Sequence, residues 1–236
     1  MDLYFKQLKA GRDFGRDNPA AQQMNNFMYL VGDRAARKAV VVDLAWDVPA
    51  VLAQLDADGM QLTGALVTHY HPDHVGGHLF GHDITGLAEL MKARPVKAYV
   101  NKHEADGVLQ VTGLSKTDLH QVDGGDTLQV GDATIHFLHT PGHTPGSQCF
   151  LVNDSSLVSG DTLFVGACGR VDLPGGDPAA MYESLTQKLG RLSDDVVLYP
   201  GHDYGRTPTD TLGDQKRTNP YLAAKNLQQW LRTRGM

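Results

Sequence analysis

Cysteine is nearly missing from this chain. Cys149 and Cys168 are the only two in 236 residues, too few for a disulfide framework, which points to a reducing compartment. Long apolar runs are missing as well. None approaches the roughly 20 residues that a membrane-spanning helix needs, and the opening segment MDLYFKQLKAGRDFGRD lacks the apolar stretch of a signal peptide. There is no basic excess. The formal net charge is −6, which disfavours nucleic acid and anionic membrane surfaces as partners. No Ser/Pro-rich linker and no low-complexity run divides the chain, so residues 1–236 read as a single domain. What remains is ordinary: 41% hydrophobic residues, enough for a substantial core. The expectation is a soluble cytoplasmic protein, a monomer or a homodimer.

Short β-rich runs alternate with helical stretches. Residues 27–31 and 39–42 flank a polar turn and read as a hairpin. Asp47 reads as the N-cap of a helix with Pro49 in its first turn and Val51, Leu52 and Leu55 on one face. Gly64–Val67 reads as a buried strand, and 74–94 as a helical stretch interrupted by glycines. Residues 96–100 read as a further strand. Hairpins are expected over 126–139, turning at Gly131-Asp132, and over 148–158, turning at Asn153-Asp154. Asp177-Pro178 caps a helix running to about Leu192, and Val196–Tyr199 is a strand. Asn219-Pro220 opens a final helix whose apolar face carries Leu222, Leu227, Trp230 and Leu231. Such alternation suggests an α/β arrangement of sheets covered by helices on their outer faces. The polar segments 11–26 and 205–216 read either as lid-like stretches or as well-packed surface loops.

Against these absences stands one dense cluster. Thr68-His69-Tyr70-His71-Pro72-Asp73-His74 follows directly on the apolar run Ala65-Leu66-Val67. Neutral imidazole and carboxylate are the usual nitrogen and oxygen ligands of zinc and non-haem iron, and so many in so short a stretch have few other physical uses. Downstream, His143, Asp161 and His202 each follow a β-run and sit beside glycine or proline, where a sharp bend can aim a side chain inward. Of the eleven histidines, His78, His82, His103, His120, His136 and His139 lack such a context and read as surface or hydrogen-bonded residues; His78 and His139 stand nearest the cluster. Cys149 reads as packed core. Cys168 has no evident base beside it and reads as inert. No GxSxG element offers a nucleophilic serine.

The complete HxHxDH motif, with His143, Asp161 and His202 in order and context, resembles the metallo-β-lactamase-fold superfamily from about Phe27 to His202. The resemblance implies a four-layer αββα sandwich of two similar halves. It further implies two divalent metal ions, zinc in the first instance, with iron or an iron/zinc pair as alternatives. His69, His71 and His143 would hold one ion, Asp73, His74 and His202 the second, and Asp161 would bridge both. A metal-bound hydroxide would then attack a carbonyl without a protein nucleophile, with Asp73 orienting it.

Two subfamilies are similar. Asp161-Thr162-Leu163-Phe164, the Gly166–Arg170 loop, Pro72 and the Gly76-Gly77 pair resemble glyoxalase II, a hydrolase of glutathione thioesters. Only 34 residues follow His202, whereas the typical glyoxalase II carries a long C-terminal helical region that grips glutathione. Tyr4–Leu8, Gly169–Asp172, His202–Gly205 and Asn219-Pro220 resemble the persulfide dioxygenases, whose single iron would take His69, His143 and Asp161. The stretch between His74 and His143, filled by Leu79–Lys116, is longer than is usual in either relative and implies a remodelled pocket rim. A non-catalytic metal-binding scaffold is a third reading, one that a lost ligand would mark; none is lost. The sequence thus favours a glyoxalase II-like hydrolase of a thioester or similar small acyl substrate, such as a glutathione derivative. Arg170, Tyr204 and Arg206 flank the ligand loops and are the candidates for contact with an anionic substrate.

Overall fold

Side chains on a strand point alternately to opposite faces, and in this chain both faces of the central strands are apolar. In a computed structural model describing residues 2–236, the first half runs β1 (Leu3–Lys9), α1 (Pro19–Met24), β2 (Phe27–Asp33), β3 (Lys38–Val42), α2 (Val48–Ala57), β4 (Gln61–Leu66), α3 (Pro72–Val75), β5 (Gly77–Leu79), β6 (His82–Ile84), α4 (Leu87–Ala93), β7 (Ala98–Asn101), α5 (Ala105–Thr112) and β8 (Leu119–Val122). The second half runs β9 (Thr127–Val130), β10 (Ala133–His139), β11 (Gln148–Val152), β12 (Ser156–Gly160), β13 (Leu163–Phe164), β14 (Ala167–Cys168), α6 (Pro178–Glu183), β15 (Val197–Pro200), β16 (Asp210–Thr211), α7 (Leu212–Thr218) and α8 (Leu227–Arg234).

Two six-stranded sheets result, ordered β1-β2-β3-β4-β7-β8 and β16-β15-β12-β11-β10-β9. Each half repeats one motif. An antiparallel hairpin (β2/β3, β11/β12) is followed by a helix and a parallel return strand (β4, β15). Three apolar layers separate four structural layers. Met28, Leu30, Ala39 and Val41 pack with Val51, Leu55, Leu90 and Val108 of the helices on one side. Their neighbours Phe27, Tyr29, Val31, Val40 and Val42 face inward and meet Phe137, Phe150, Val152 and Val158 of the other sheet. Cys149, Leu157 and Leu198 pack on Met181, Leu185, Leu212 and Trp230 of the opposite helices. This is the α/β, αββα order expected of the sequence.

Most predicted elements stand. Asp47 caps α2 by accepting from the Ala50 amide, and Asn153 and Asp154 take the left-handed conformations of the β11–β12 turn. The stretch 74–94 differs: instead of a broken helix it holds α3, the β5/β6 hairpin and α4. The final helix begins later than expected, because Asn226 rather than Asn219 caps it. Asn219 follows α7 and spends its side-chain amide on the carbonyls of Phe164 and Ala167. The segment 11–26 is packed, with Phe14 and Ala21 buried and Asn18 capping α1. Among the described residues no helix is long and apolar enough to cross a membrane.

Candidate metal centre

The ends of β4, β10, β12 and β15 deliver the site. After β4 the chain turns into α3, where the His71 carbonyl accepts from the His74 and Val75 amides. Pro72 starts this single turn, as its fixed φ and missing N–H favour, and the turn aims Asp73 and His74 inward. Gly201, just past β15, leaves no room for a side chain: a Cβ there would lie 2.5 Å from Asp161 Oδ1, so only glycine lets the end of β15 bring His202 beside Asp161.

Three groups of ligand atoms converge: His69, His71 and His143; His69, His74 and Asp161; Asp73, His74 and His202. Asp161 stands between two of the clusters. Its Oδ2 lies 3.6 Å from His143 Nε2, and its Oδ1 lies 3.4 Å from both His74 Nε2 and His202 Nε2. The Nε2 atoms of His74 and His202 are 3.2 Å apart. His143 Nε2 and His71 Nδ1 are 3.0 Å apart.

The outward nitrogens explain why these rings crowd together. His143 Nδ1 donates to the Arg170 carbonyl at 2.7 Å, His202 Nδ1 to the Met24 carbonyl at 2.8 Å and His74 Nδ1 to Asp43 at 2.9 Å. Thr68 Oγ1 donates to Asp43 and so can accept from His69 Nδ1 at 3.0 Å. Carbonyl and carboxylate oxygens only accept, so the proton of each neutral ring sits on Nδ1 and the Nε2 lone pair points inward. His69 Nε2 and Asp161 Oδ1 are buried with no hydrogen-bond partner. Buried acceptors left unpaired are costly, and a divalent cation satisfies such a donor set.

The electrostatics point the same way. Burial, reinforced by His74 and His71, holds the His69 imidazole well below its ordinary value. Burial and His143 push His71 down to about 4. Burial also opposes protonation of His74, yet Asp73, Asp161 and Asp43 outweigh it and raise that group to about 10. Burial alone would raise Asp161; His202 and His74 hold it well below the carboxylate range. The carboxylate side of the cluster therefore attracts positive charge strongly.

Sequence reasoning passed over the residues that hold these ligands. Asp43 is buried and left-handed (φ 55°), and it binds the Thr68 amide and hydroxyl as well as His74. It follows the run Ala39–Val42, the same signal that marked the other strand-end residues. Asn26 donates to Asp73 Oδ2 at 3.0 Å and accepts from Trp46 Nε1. Glu104 accepts from the Tyr70 and Gly146 amides and the Thr144 hydroxyl.

A cavity of about 610 Å³ opens over the cluster, with His71, Asp73, His143, Asp161 and His202 in its floor. Arg170 and Tyr204 line it; Arg206 does not. The Arg170 guanidinium pairs with Asp172, and the Tyr204 ring stacks on His202 at 4.6 Å and 10°. Cys168 also lines the cavity, but burial pushes its thiol up to about 12, so it remains a thiol. His78 bonds to Asp83 and His139 to the Pro145 carbonyl, partners outside the ligand set. Of the long stretch 79–116, only Leu79 and Phe80 reach the cavity wall; β7 and β8 extend the first sheet.

Known proteins are similar to this chain in sequence and fold. The family described as the metallo-beta-lactamase superfamily matches residues 23–202. The human mitochondrial persulfide dioxygenase ETHE1 is 33% identical over 198 residues, 83% of this chain and 71% of the human protein. A hydroxyacylglutathione hydrolase of Rhodopseudomonas palustris is 39% identical over 181 residues, 76% of this chain and 63% of that one. The crystal structure of ETHE1 from Myxococcus xanthus superimposes with a TM-score of 0.77 at 30% identity, covering 97% of this chain and 88% of the other. With its fold, its ordered ligand motif and these similarities, the chain belongs to the metallo-beta-lactamase superfamily.

Proposed function

We propose that the protein is a metal-dependent hydrolase of a thioester or similar small acyl substrate. His69, His71 and His143 would hold one cation and Asp73, His74 and His202 the other, with Asp161 reaching toward both groups. The observation that carries this reading is the division of Asp161, with Oδ2 toward His143 and Oδ1 toward His74 and His202. When bound, a pair of divalent cations such as zinc makes hydroxide available near neutral pH and polarises a carbonyl. The chain's own residues do the rest. Asn26 fixes Asp73 by one oxygen while that carboxylate still faces the cavity, so Asp73 orients the attacking water and accepts its proton. Hydrogen bonds from Nδ1 to Arg170, Met24, Asp43 and Thr68 lock the imidazoles of His143, His202, His74 and His69 in the ligating tautomer.

The similarity to ETHE1 supports a second reading, a glutathione persulfide dioxygenase with one iron on His69, His143 and Asp161. Metal content and one assay separate the two. The hydrolase reading expects close to two ions per chain and one thiol released per thioester from a panel that includes S-lactoylglutathione, with no oxygen uptake on glutathione persulfide. A single iron, oxygen uptake tied to sulfite and no thioester cleavage would replace it with the dioxygenase.

A further inference from the structure

One residue breaks two rules at once. Phe80 is 84% exposed, and its φ is 50°. A bulky side chain in the left-handed region is an outlier, and an exposed phenyl ring forgoes the benefit of burial. The position explains the backbone: β5 and β6 pair Leu79 with His82, leaving Phe80 and Gly81, both at positive φ, as a two-residue type I′ turn. Asn, Asp or Gly are the favoured residues there. Such a combination suggests a function for the ring itself.

The ring lies on the cavity wall. So does Tyr204, the other exposed aromatic residue. Tyr204 is held by stacking on His202 and by an edge contact with Phe164 at 5.4 Å. The base of the hairpin is fixed, since a Cβ on Gly76 would meet Gly86 at 2.7 Å, whereas nothing lies within 4 Å of one on Gly81. The same wall carries the apolar side chains of Met24, Leu79, Leu173 and Pro174. Beyond the ligand residues, Arg170 is the sole charged residue described in the lining, and Asp172 already takes its guanidinium through two hydrogen bonds. The two carboxylates and the ammonium of a glutathionyl group would find little to pair with on such a wall.

We propose that Phe80 and Tyr204 form an aromatic clamp at the mouth of the cavity, and that the site selects thioesters by an apolar group held between these rings rather than by a charged thiol carrier. This rests on the hydrolase reading. In the reaction, water adds its oxygen to the acyl carbon, the carbon–sulfur bond breaks, and the released thiolate takes up a proton, giving an acid and a thiol. The clamp touches the apolar group and takes no part in that exchange.

The test compares the metal-loaded protein on acetyl, hexanoyl and phenylacetyl thioesters of uncharged N-acetylcysteamine and on S-lactoylglutathione. The phenylacetyl and hexanoyl compounds should give kcat/KM at least about tenfold above S-lactoylglutathione. Phe80→Asn suits the turn and removes only the ring. It should raise KM for the phenylacetyl thioester about tenfold with kcat little altered, the penalty shrinking as the acyl group shrinks, and Phe80→Tyr should restore binding. Calorimetry with the ketone isostere of the phenylacetyl thioester, in which methylene replaces sulfur, should show the same loss without turnover. Preference for S-lactoylglutathione, or isostere binding indifferent to Phe80→Asn, overturns the clamp and leaves the hydrolase standing. Cleavage of none of the thioesters by protein that still binds the isostere through Phe80 overturns the hydrolase instead.

Discussion

Asp73 and His74 are adjacent in sequence and opposite in electrostatic role. Asp73 is buried against Asn26 and lines the cavity floor, so Asp73→Ala removes a group at the proposed reacting centre without opening a core void. Turnover should fall at least about a hundredfold with an unaltered circular dichroism spectrum; near wild-type turnover at an unchanged metal count would remove Asp73 from the mechanism. His74 governs how the protein responds to pH when stripped of metal. Burial lowers its proton affinity, but Asp73, Asp161 and Asp43 lift it from 6.5 to about 10. A value raised on folding means that the protonated ring stabilises the metal-free fold fully below about 6.5 and that this contribution is lost as pH climbs through about 10. The melting temperature of chelator-treated protein should therefore drop across that window, and saturation with cation, which takes the place of the proton, should flatten the profile. A metal-free melting temperature that holds steady or rises over the same range would contradict the assignment.

At the scale of elements, Glu104 at the start of α5 ties two ligand loops together. One buried carboxylate accepts from Tyr70, beside His71, and from Thr144 and Gly146, beside His143. Glu104→Gln turns one acceptor into a donor facing a donor. That mismatch should cost about 1–3 kcal/mol of stability in denaturant titration and weaken cation affinity about tenfold in competition with a chelator; wild-type values in both experiments would show that the loops do not depend on it. Glu104 also shows where sequence reading stops. His69, His71, Asp73, His74, His143, Asp161 and His202 were legible because each follows an apolar strand run and precedes a bend, a local signal. Glu104 and Asn26 act through partners far away in the chain, and nothing near them in sequence marks that. Asp43 carried the local signal but no motif to draw notice. The β5/β6 hairpin was illegible because its strands are three residues each and its turn carries Phe80 where Asn or Gly is expected. The start of the last helix is ambiguous in the sequence because Asn219 and Asn226 look alike as caps.

For the whole molecule, the layer between the two sheets joins the halves. Phe150 is fully buried there and meets Phe137 edge-on at 5.4 Å. Phe150→Ala should cost about 3–5 kcal/mol. If the halves unfold together as one domain, far-ultraviolet and near-ultraviolet dichroism should report a single shifted transition; two separated transitions would show that the halves melt independently. The division of ligands between those halves has a further consequence. Every ligand triad draws on both of them: His143, Asp161 or His202 completes what His69, His71, Asp73 and His74 begin. On the ribosome, the histidine-rich stretch emerges first and must wait for residue 202 of 236 before its last partner exists. A nascent chain can therefore complete its first triad only when His143 has been made, and its last only at His202, so that synthesis itself staggers the appearance of the two halves of the cluster.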